Sequence, residues 1–101
     1  MQIIPVNSGA ATVGKVTSIT TGSWFTVTTI TSANSFFFIQ NVSPVDINIQ
    51  FSGNSYANGT FILKANGGTI QFSVGDFLPT GLVTVNAVSG SSQGAITYMV
   101  A

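Results

Sequence analysis

The side chains that could do acid–base or ligand chemistry are few in this chain. Its 101 residues include no histidine, cysteine or arginine, and the charged side chains are those of Lys15, Asp46, Lys64 and Asp76 alone. A nucleophile–histidine–acid triad and a thiolate or imidazole metal site both need residue types that are missing here. Calcium needs several clustered carboxylates, and two aspartates are too few. A carboxylate pair for sugar hydrolysis is the one arrangement left, but Asp46 is expected to have Lys64 as a neighbour, and Asp76 follows Gly75, where an aspartate commonly shapes a turn. We therefore expect no enzyme, no metal and no cofactor.

The small number of charges also argues against two classes of partner. Charged residues make up 4% of the chain and the formal net charge is zero. Two lysines supply too few phosphate contacts to bind a nucleic acid. They are equally too few to hold the protein on an anionic membrane surface. We expect neither nucleic acid nor membrane as a partner, and we expect a nearly uncharged surface to associate with protein.

The segments that carry the charged residues are predicted to be β-strands. Short runs rich in Val, Ile, Thr and Phe alternate with Gly, Asn and Ser, and turn signals recur every 8–12 residues. This pattern predicts an all-β fold of about eight strands, namely a small antiparallel β-sandwich, immunoglobulin-like or jelly-roll-like. Residues 12–101 are predicted to form this single domain. Residues 1–11 are predicted to form an N-terminal arm or an edge strand, because Pro5 cannot donate a ladder hydrogen bond.

Three turn signals predict three hairpins. Asn66-Gly67 is typical of a type I′ turn, and it places Leu63 opposite Ile70 with Phe61 opposite Phe72. The loop "SGSSQG" predicts a second hairpin between "GLVTVNAV" and "AITYMV". Thr21-Gly22 predicts a third hairpin between the first two strands.

One predicted strand pair brings two opposite charges together. The segment "VDINIQF" alternates apolar and polar side chains, so a matched antiparallel register with residues 60–65 sets Ile47 opposite Leu63. The same register sets Asp46 opposite Lys64. We interpret this as a cross-strand ion pair with a structural role.

The strand at residues 35–41 departs from simple alternation, because it is apolar on both faces. This indicates either a central strand buried by its own sheet partners and loops, or a face that contacts another chain. The apolar start of the chain adds further surface. The residues predicted to form a protein interface are Ile3, Ile4, Pro5, Val6, Trp24, Phe36, Phe37 and Phe38.

A polar loop suggests a second kind of site. In "GNSYANG", Asn54, Tyr56 and Asn58 have side chains that could hydrogen-bond and stack on a glycan. The alternative is that this stretch forms a polar turn and binds nothing.

The segments "FFFIQNVSPVDINIQF", "FILKANGGTIQF" and "LVTVNAVSGSSQGAITYMV" resemble the pattern of small β-rich virion proteins of tailed bacteriophages. In that pattern an apolar strand leads into N-x-S/T-P-V-x-I-x-I-x-F, followed by a glycine-turned hairpin and a final hairpin of small residues. The resemblance covers residues 36–100. The chain departs from the pattern at Asn66-Gly67, where a Pro-Gly turn is expected.

The resemblance implies a head decoration or cement protein. Such a protein binds the major capsid protein and copies of itself, often as a trimer, on the exterior of the capsid. It is made in the host cytoplasm and carries no catalytic residues. Two alternatives remain open: a tail, neck or fibre module that recognises host-surface glycans, and a self-assembling filament subunit.

Overall fold

The strands in this protein form where β-branched and aromatic side chains alternate with polar ones. A computed structural model describes residues 11–51, 61–73, 78–88 and 93–101, and within these ranges it has eight strands and no helix. The strands are β1 (Thr12–Ile19), β2 (Phe25–Ile30), β3 (Phe37–Asn41), β4 (Ile47–Phe51), β5 (Phe61–Leu63), β6 (Thr69–Phe72), β7 (Gly81–Ala87) and β8 (Gly94–Val100).

The eight strands form two antiparallel sheets of four. The first sheet has the order β1-β8-β3-β6 and the second the order β2-β7-β4-β5. β1 pairs with β8, β2 with β7, β3 with β6, and β4 with β5. The chain is thus one long hairpin with its tip between β4 and β5, wound into two layers, which is the jelly-roll arrangement. The predicted all-β sandwich is confirmed, and the jelly-roll form is the one that the strand order matches.

The three hairpins predicted from local turn signals are wrong. β5 and β6 lie in different sheets, and so do β7 and β8, and β1 and β2. The Asn66-Gly67 turn does have positive φ at both residues, 62° and 121°. It turns the chain from one sheet to the other instead of joining neighbours in one sheet. A turn of this type bends the backbone equally well at a sandwich corner, so its sequence does not reveal which strands pair.

The predicted faces of the strands are nevertheless those seen in the structure. Phe61, Leu63, Ile70 and Phe72 all point between the sheets, but they face one another across the sandwich and not within one sheet. The assignment of side chains to the inner or outer face is correct because side chains alternate along a strand, whichever strand lies next to it. The fully buried core comes from both sheets and includes Ile19, Ile30, Phe37, Ile39, Ile47, Ile49, Leu63, Val83, Val85, Ala87 and Ile96.

The register predicted between β4 and β5 is confirmed. Ile47 lies opposite Leu63 and Ile49 opposite Phe61. This is the one connection between consecutive strands that stays within a single sheet in the part of the chain that the structure describes. Alternation alone was sufficient here because β4 carries apolar side chains on one face only.

Candidate functional site

The two charges predicted to meet do so. Lys64 Nζ lies 3.4 Å from Asp46 Oδ2, and the backbone N–H of Ala65 donates to Asp46 Oδ1 at 2.8 Å. The Ala65 hydrogen bond, together with the nearby Lys64 charge, lowers the pKa of Asp46 below its ordinary value, against the opposing effect of partial burial. Asp46 therefore stays ionised and holds the start of the β5–β6 connection, which is a structural role.

The remaining charged groups form no catalytic cluster in the ranges described. Lys15 is exposed on β1, and Asp76 lies outside the described residues. Among the residues that the structure describes, no three His, Cys, Asp or Glu side chains lie close enough to hold a metal ion. No helix in those ranges is long and apolar enough to cross a membrane.

The phenylalanine triplet divides between the core and the outer surface. Phe37 is 0% exposed and contacts Phe51 edge to face, with ring centroids 6.1 Å apart. Its predicted place in an interface is therefore wrong, because a fully buried side chain cannot touch another chain. Phe36 and Phe38 are partly buried, since β3 is a central strand whose outer face has no second layer over it in the described residues.

Phe38 belongs to an apolar row across the outer face of the first sheet. Val13, Met99 and Phe38 lie side by side on β1, β8 and β3. Val13 is 67% exposed and Met99 36% exposed. We call these three residues the outer apolar row. The next row, with Lys15, Thr97 and Gln40, is polar, so it bounds the outer apolar row on one side.

Of the other predicted contact residues, Trp24 lies within the described ranges and the rest lie outside them. Trp24 is exposed just before β2. The predicted interface residues Ile3, Ile4, Pro5 and Val6 lie outside the described residues, as do Asn54, Tyr56 and Asn58 of the predicted glycan loop.

A cleft opens between the edge strands of the two sheets, and the sequence did not indicate it. Its volume is about 290 Å³, and it is lined by Phe51, Phe61, Ile70 and Phe72. The Phe51 ring packs edge to face on the Phe72 ring at 5.8 Å and at an angle to the Phe61 ring at 6.3 Å. We call this space the β5–β6 cleft. The predicted hairpin gave no indication of this cleft, because two strands that pair in one sheet have no gap between them.

The opposite end of the same gap is sealed by a buried asparagine. Asn41 Nδ2 donates to the carbonyl oxygens of Val45 at 2.8 Å and Leu63 at 2.9 Å. Its Oδ1 accepts from Ser43 N–H at 2.9 Å and from Ser43 Oγ at 2.6 Å. Asn41 is 0% exposed, so these bonds satisfy a polar group that would otherwise be costly to bury. The network belongs to the fold, since it leaves no polar atom for a ligand.

Comparison with known proteins adds little to this picture. No family model matches the chain, and no curated protein matches it. A solved structure from work on Bacillus endospore appendages, described there as a novel family of disulfide-linked pili, superposes with a TM-score of 0.48 and 12% identity. The match covers 99% of this chain and 96% of that one. Values this low support no functional argument, and this chain has no cysteine with which to form a disulfide.

Proposed function

We propose that this protein is a non-enzymatic structural subunit that works by packing against other protein subunits, copies of itself included. The outer apolar row is the observation that carries the proposal. Val13, Met99 and Phe38 place apolar side chains next to one another on an open sheet face. A contiguous apolar patch of this kind marks a contact surface more than isolated exposed residues do.

The chemistry of the chain supports a role in assembly over one in catalysis. General acid–base catalysis relies mainly on His, Asp, Glu, Lys, Tyr and Cys, and this chain has no histidine, cysteine or glutamate. Asp46 is held by Ala65 and Lys64, so it is not poised to transfer a proton. A nearly uncharged surface also loses little energy when another protein covers it, because few ions have to be desolvated.

More specifically, we propose that the chain is a capsid decoration protein. The resemblance of residues 36–100 to virion proteins of tailed bacteriophages supports it, and the partner is then the major capsid protein, on the exterior of the virion. Many modest apolar contacts would add up across the lattice by multivalency. Since the chain has four charged side chains, we expect the binding to depend little on salt.

A second candidate function, a filament subunit, is favoured by the edges of the first sheet. β1 and β6 are its two outer strands, and neither has a further strand partner in the described residues. If β1 of one copy paired with β6 of the next, the sheet would continue from subunit to subunit. Such a head-to-tail contact produces an open filament unless its rotation closes a ring.

The test is native mass spectrometry and light scattering on the purified chain, alone and with empty phage shells. A discrete oligomer that binds the shells supports the decoration protein, and polymerisation without shells supports the filament subunit. A monomer that binds no shell would contradict both. Binding of a free glycan by that monomer would favour the fibre module instead.

A matched pair of variants tests the outer apolar row. Val13→Asn/Met99→Asn changes a cross-strand pair in this row, and Thr29→Asn/Leu82→Asn changes an exposed cross-strand pair on the outer face of the other sheet. All four side chains are exposed, so both variants are expected to fold. We expect the first variant to weaken association at least about tenfold and the second to leave it nearly unchanged.

A further inference from the structure

We propose that Asn66 is a site of spontaneous deamidation that the folded turn between β5 and β6 protects, so that the reaction proceeds only when this turn opens. The proposal concerns a covalent modification of the chain and is independent of the proposed role in assembly. It starts from the dipeptide Asn66-Gly67. An asparagine followed by glycine is prone to this reaction, because glycine has no Cβ to shield the backbone nitrogen that attacks.

The reaction joins two groups that are adjacent in the chain. The backbone nitrogen of Gly67, once its proton has been removed, attacks the side-chain amide carbon Cγ of Asn66. A C–N bond forms and closes a five-membered imide ring, while the side-chain nitrogen takes up a proton and leaves as ammonia. Water then opens the imide at either of its two carbonyl carbons and gives aspartate or isoaspartate. Water is the only co-reactant, and nothing is oxidised or reduced.

The folded turn withholds the nitrogen that must attack. The Gly67 N–H donates to the backbone carbonyl of Asn41 at 2.8 Å, and Asn41 is 0% exposed. The proton that has to be removed is therefore held in a hydrogen bond to a buried residue, where a base from solvent does not reach it. Breaking this bond inside the folded turn would also take the donor away from a buried carbonyl, which is costly.

The backbone conformation of the dipeptide also opposes ring closure. Asn66 has a φ of 62°, in the left-handed region. There ψ is about +47°, which points the next nitrogen away from the Cβ of the same residue. Bringing the Gly67 nitrogen to Cγ requires rotation about the Cα–C bond of Asn66. That rotation pulls the Gly67 N–H out of its hydrogen bond, so the ring cannot close while the turn is intact.

Two further hydrogen bonds resist this rotation. The Asn66 N–H donates to the Ser43 carbonyl at 2.9 Å. The Gly68 N–H donates to the Lys64 carbonyl at 3.0 Å. The side chain of Asn66 gives no such protection, because Asn66 is exposed to solvent. The protection thus comes from the backbone of the turn and not from burial of the reacting amide.

Isoaspartate at position 66 would change the turn permanently. It routes the backbone through the former side chain and lengthens it by one carbon atom. The hydrogen bonds that residue 66 and Gly67 donate to Ser43 and Asn41 depend on the shorter spacing. We therefore expect a chain that has reacted once to hold this turn less firmly.

Peptide mass spectrometry of the full chain tests the proposal, with the second Asn-Gly pair of the sequence, Asn58-Gly59, as a control. That pair lies outside the described residues, so it serves only to calibrate the unfolded chain. The protein is held at mildly alkaline pH with and without guanidinium. Trypsin then cleaves after Lys64 and puts the two pairs on different peptides, residues 16–64 and 65–101. Fragment spectra locate the mass increase that accompanies the change from amide to acid.

The expected result is a large effect of folding on one residue. In guanidinium, Asn66 and Asn58 should react at similar rates, because both precede glycine and neither is held by a fold. In the native chain, Asn66 should react at least about tenfold more slowly than in guanidinium, since the rate follows the population of the open turn. Equal rates for Asn66 in the two conditions would overturn the proposal. So would a much slower rate for Asn66 than for Asn58 in guanidinium, because the sequence and not the fold would then be the cause.

A matched pair of variants distinguishes opening of the turn from unfolding of the whole domain. Gly68→Ala crowds the Lys64 carbonyl oxygen within the turn, whereas Gly14→Ala crowds the Tyr98 ring on β1, at the other edge of the first sheet from β6. With each rate divided by its value in guanidinium, Gly68→Ala should speed the native reaction of Asn66 at least about threefold, and Gly14→Ala should leave it nearly unchanged. An equal increase in both variants would show that the reaction requires global unfolding, and no increase in either would show that the turn does not control it. Both results would overturn the proposal.

Discussion

Among the described residues, the gap between β5 and β6 is closed by hydrogen bonds at one end and lined by apolar side chains at the other, which we call its closed and open ends. At the closed end, Asn41 links the β3–β4 connection to Leu63 through buried hydrogen bonds. The backbone of the β5–β6 turn also bonds to β3, because Gly67 N–H donates to the Asn41 carbonyl at 2.8 Å. At the open end, four apolar side chains line a cleft, and no hydrogen bond between side chains bridges it in the described residues.

The two ends constrain the edge strands in different ways. Hydrogen bonds are directional, so the Asn41 network fixes where the two edge strands begin to diverge. Apolar contacts are not directional, so the phenylalanines at the other end can be covered equally well by another chain. Buried hydrogen bonds therefore set the geometry of the polar end, whereas the apolar end is held by ring packing around Phe51 and leaves Phe61 partly exposed.

The largest expected effect comes from the base of the open end. Phe51→Ala should lower the free energy of unfolding by about 3–5 kcal/mol, because it removes a buried ring that packs against three others. Phe61→Ala, at the mouth, should cost less, about 1–2 kcal/mol, since 41% of the Phe61 surface is already exposed in the folded chain. Urea unfolding of both variants measures the contrast. Equal losses would mean that the mouth is as well packed as the base.

The next largest loss of stability is expected when the hydrogen bonds at the closed end are removed. Asn41→Ala should lower the free energy of unfolding by at least about 2 kcal/mol, because the Leu63 carbonyl and the Ser43 N–H lose their partner in the interior. Asn48→Ala is the control, since Asn48 lies on the outer face, where its Nδ2 donates to Asn86 Oδ1 at 3.0 Å. Thermal unfolding followed by circular dichroism compares the two. A smaller loss for Asn41→Ala than for Asn48→Ala would contradict the role given to the network.

A third change tests how tightly the turn at the closed end is packed. A Cβ atom added at Gly68 would lie 2.6 Å from the Lys64 carbonyl oxygen, and backbone atoms cannot move aside easily. Gly68→Ala should therefore cost about 1–3 kcal/mol. At Gly22 an added Cβ meets nothing within 4 Å, so Gly22→Ala should change stability by less than about 0.5 kcal/mol. Denaturant titration of this matched pair would refute tight packing if the two changes were alike.

The smallest effect is the pH dependence of the Asp46–Lys64 pair. Because the pKa of Asp46 is lower in the folded chain, its contribution is present above the ordinary value of 3.8 and is lost as the pH falls through the folded pKa. The difference in stability between the wild type and Asp46→Asn should thus be constant near neutrality and shrink below about pH 4. Both proteins contain Asp76, so the comparison isolates the contribution of Asp46. A difference that does not change down to pH 2 would show that the charge of Asp46 does not stabilise the fold.

Part of the candidate site was predictable and part was not. Alternation in "VDINIQF" was enough to predict that Asp46 meets Lys64, because the two strands are consecutive and share one sheet. Parity also put Phe37 and Phe38 on opposite faces, but both faces of that strand are apolar, so it did not indicate which of the two is buried. The β5–β6 cleft could not be predicted, since it exists only when the two strands that frame it belong to different sheets. A signal was present in hindsight: Phe61 and Phe72 were predicted on the same inward face.

Residue types and their alternation were enough to predict an all-β chain, to give most strands an apolar and a polar face, and to show that the side chains for most catalytic chemistry are missing. These properties are local, because they depend on residue type and on a period of two. The pairing of β1 with β8 and of β2 with β7, and with it the division of β5 and β6 between two sheets, could be seen only in the folded chain. Such pairings join residues far apart in the chain, and their free energy depends on how two whole sheets pack, which no short stretch of sequence encodes.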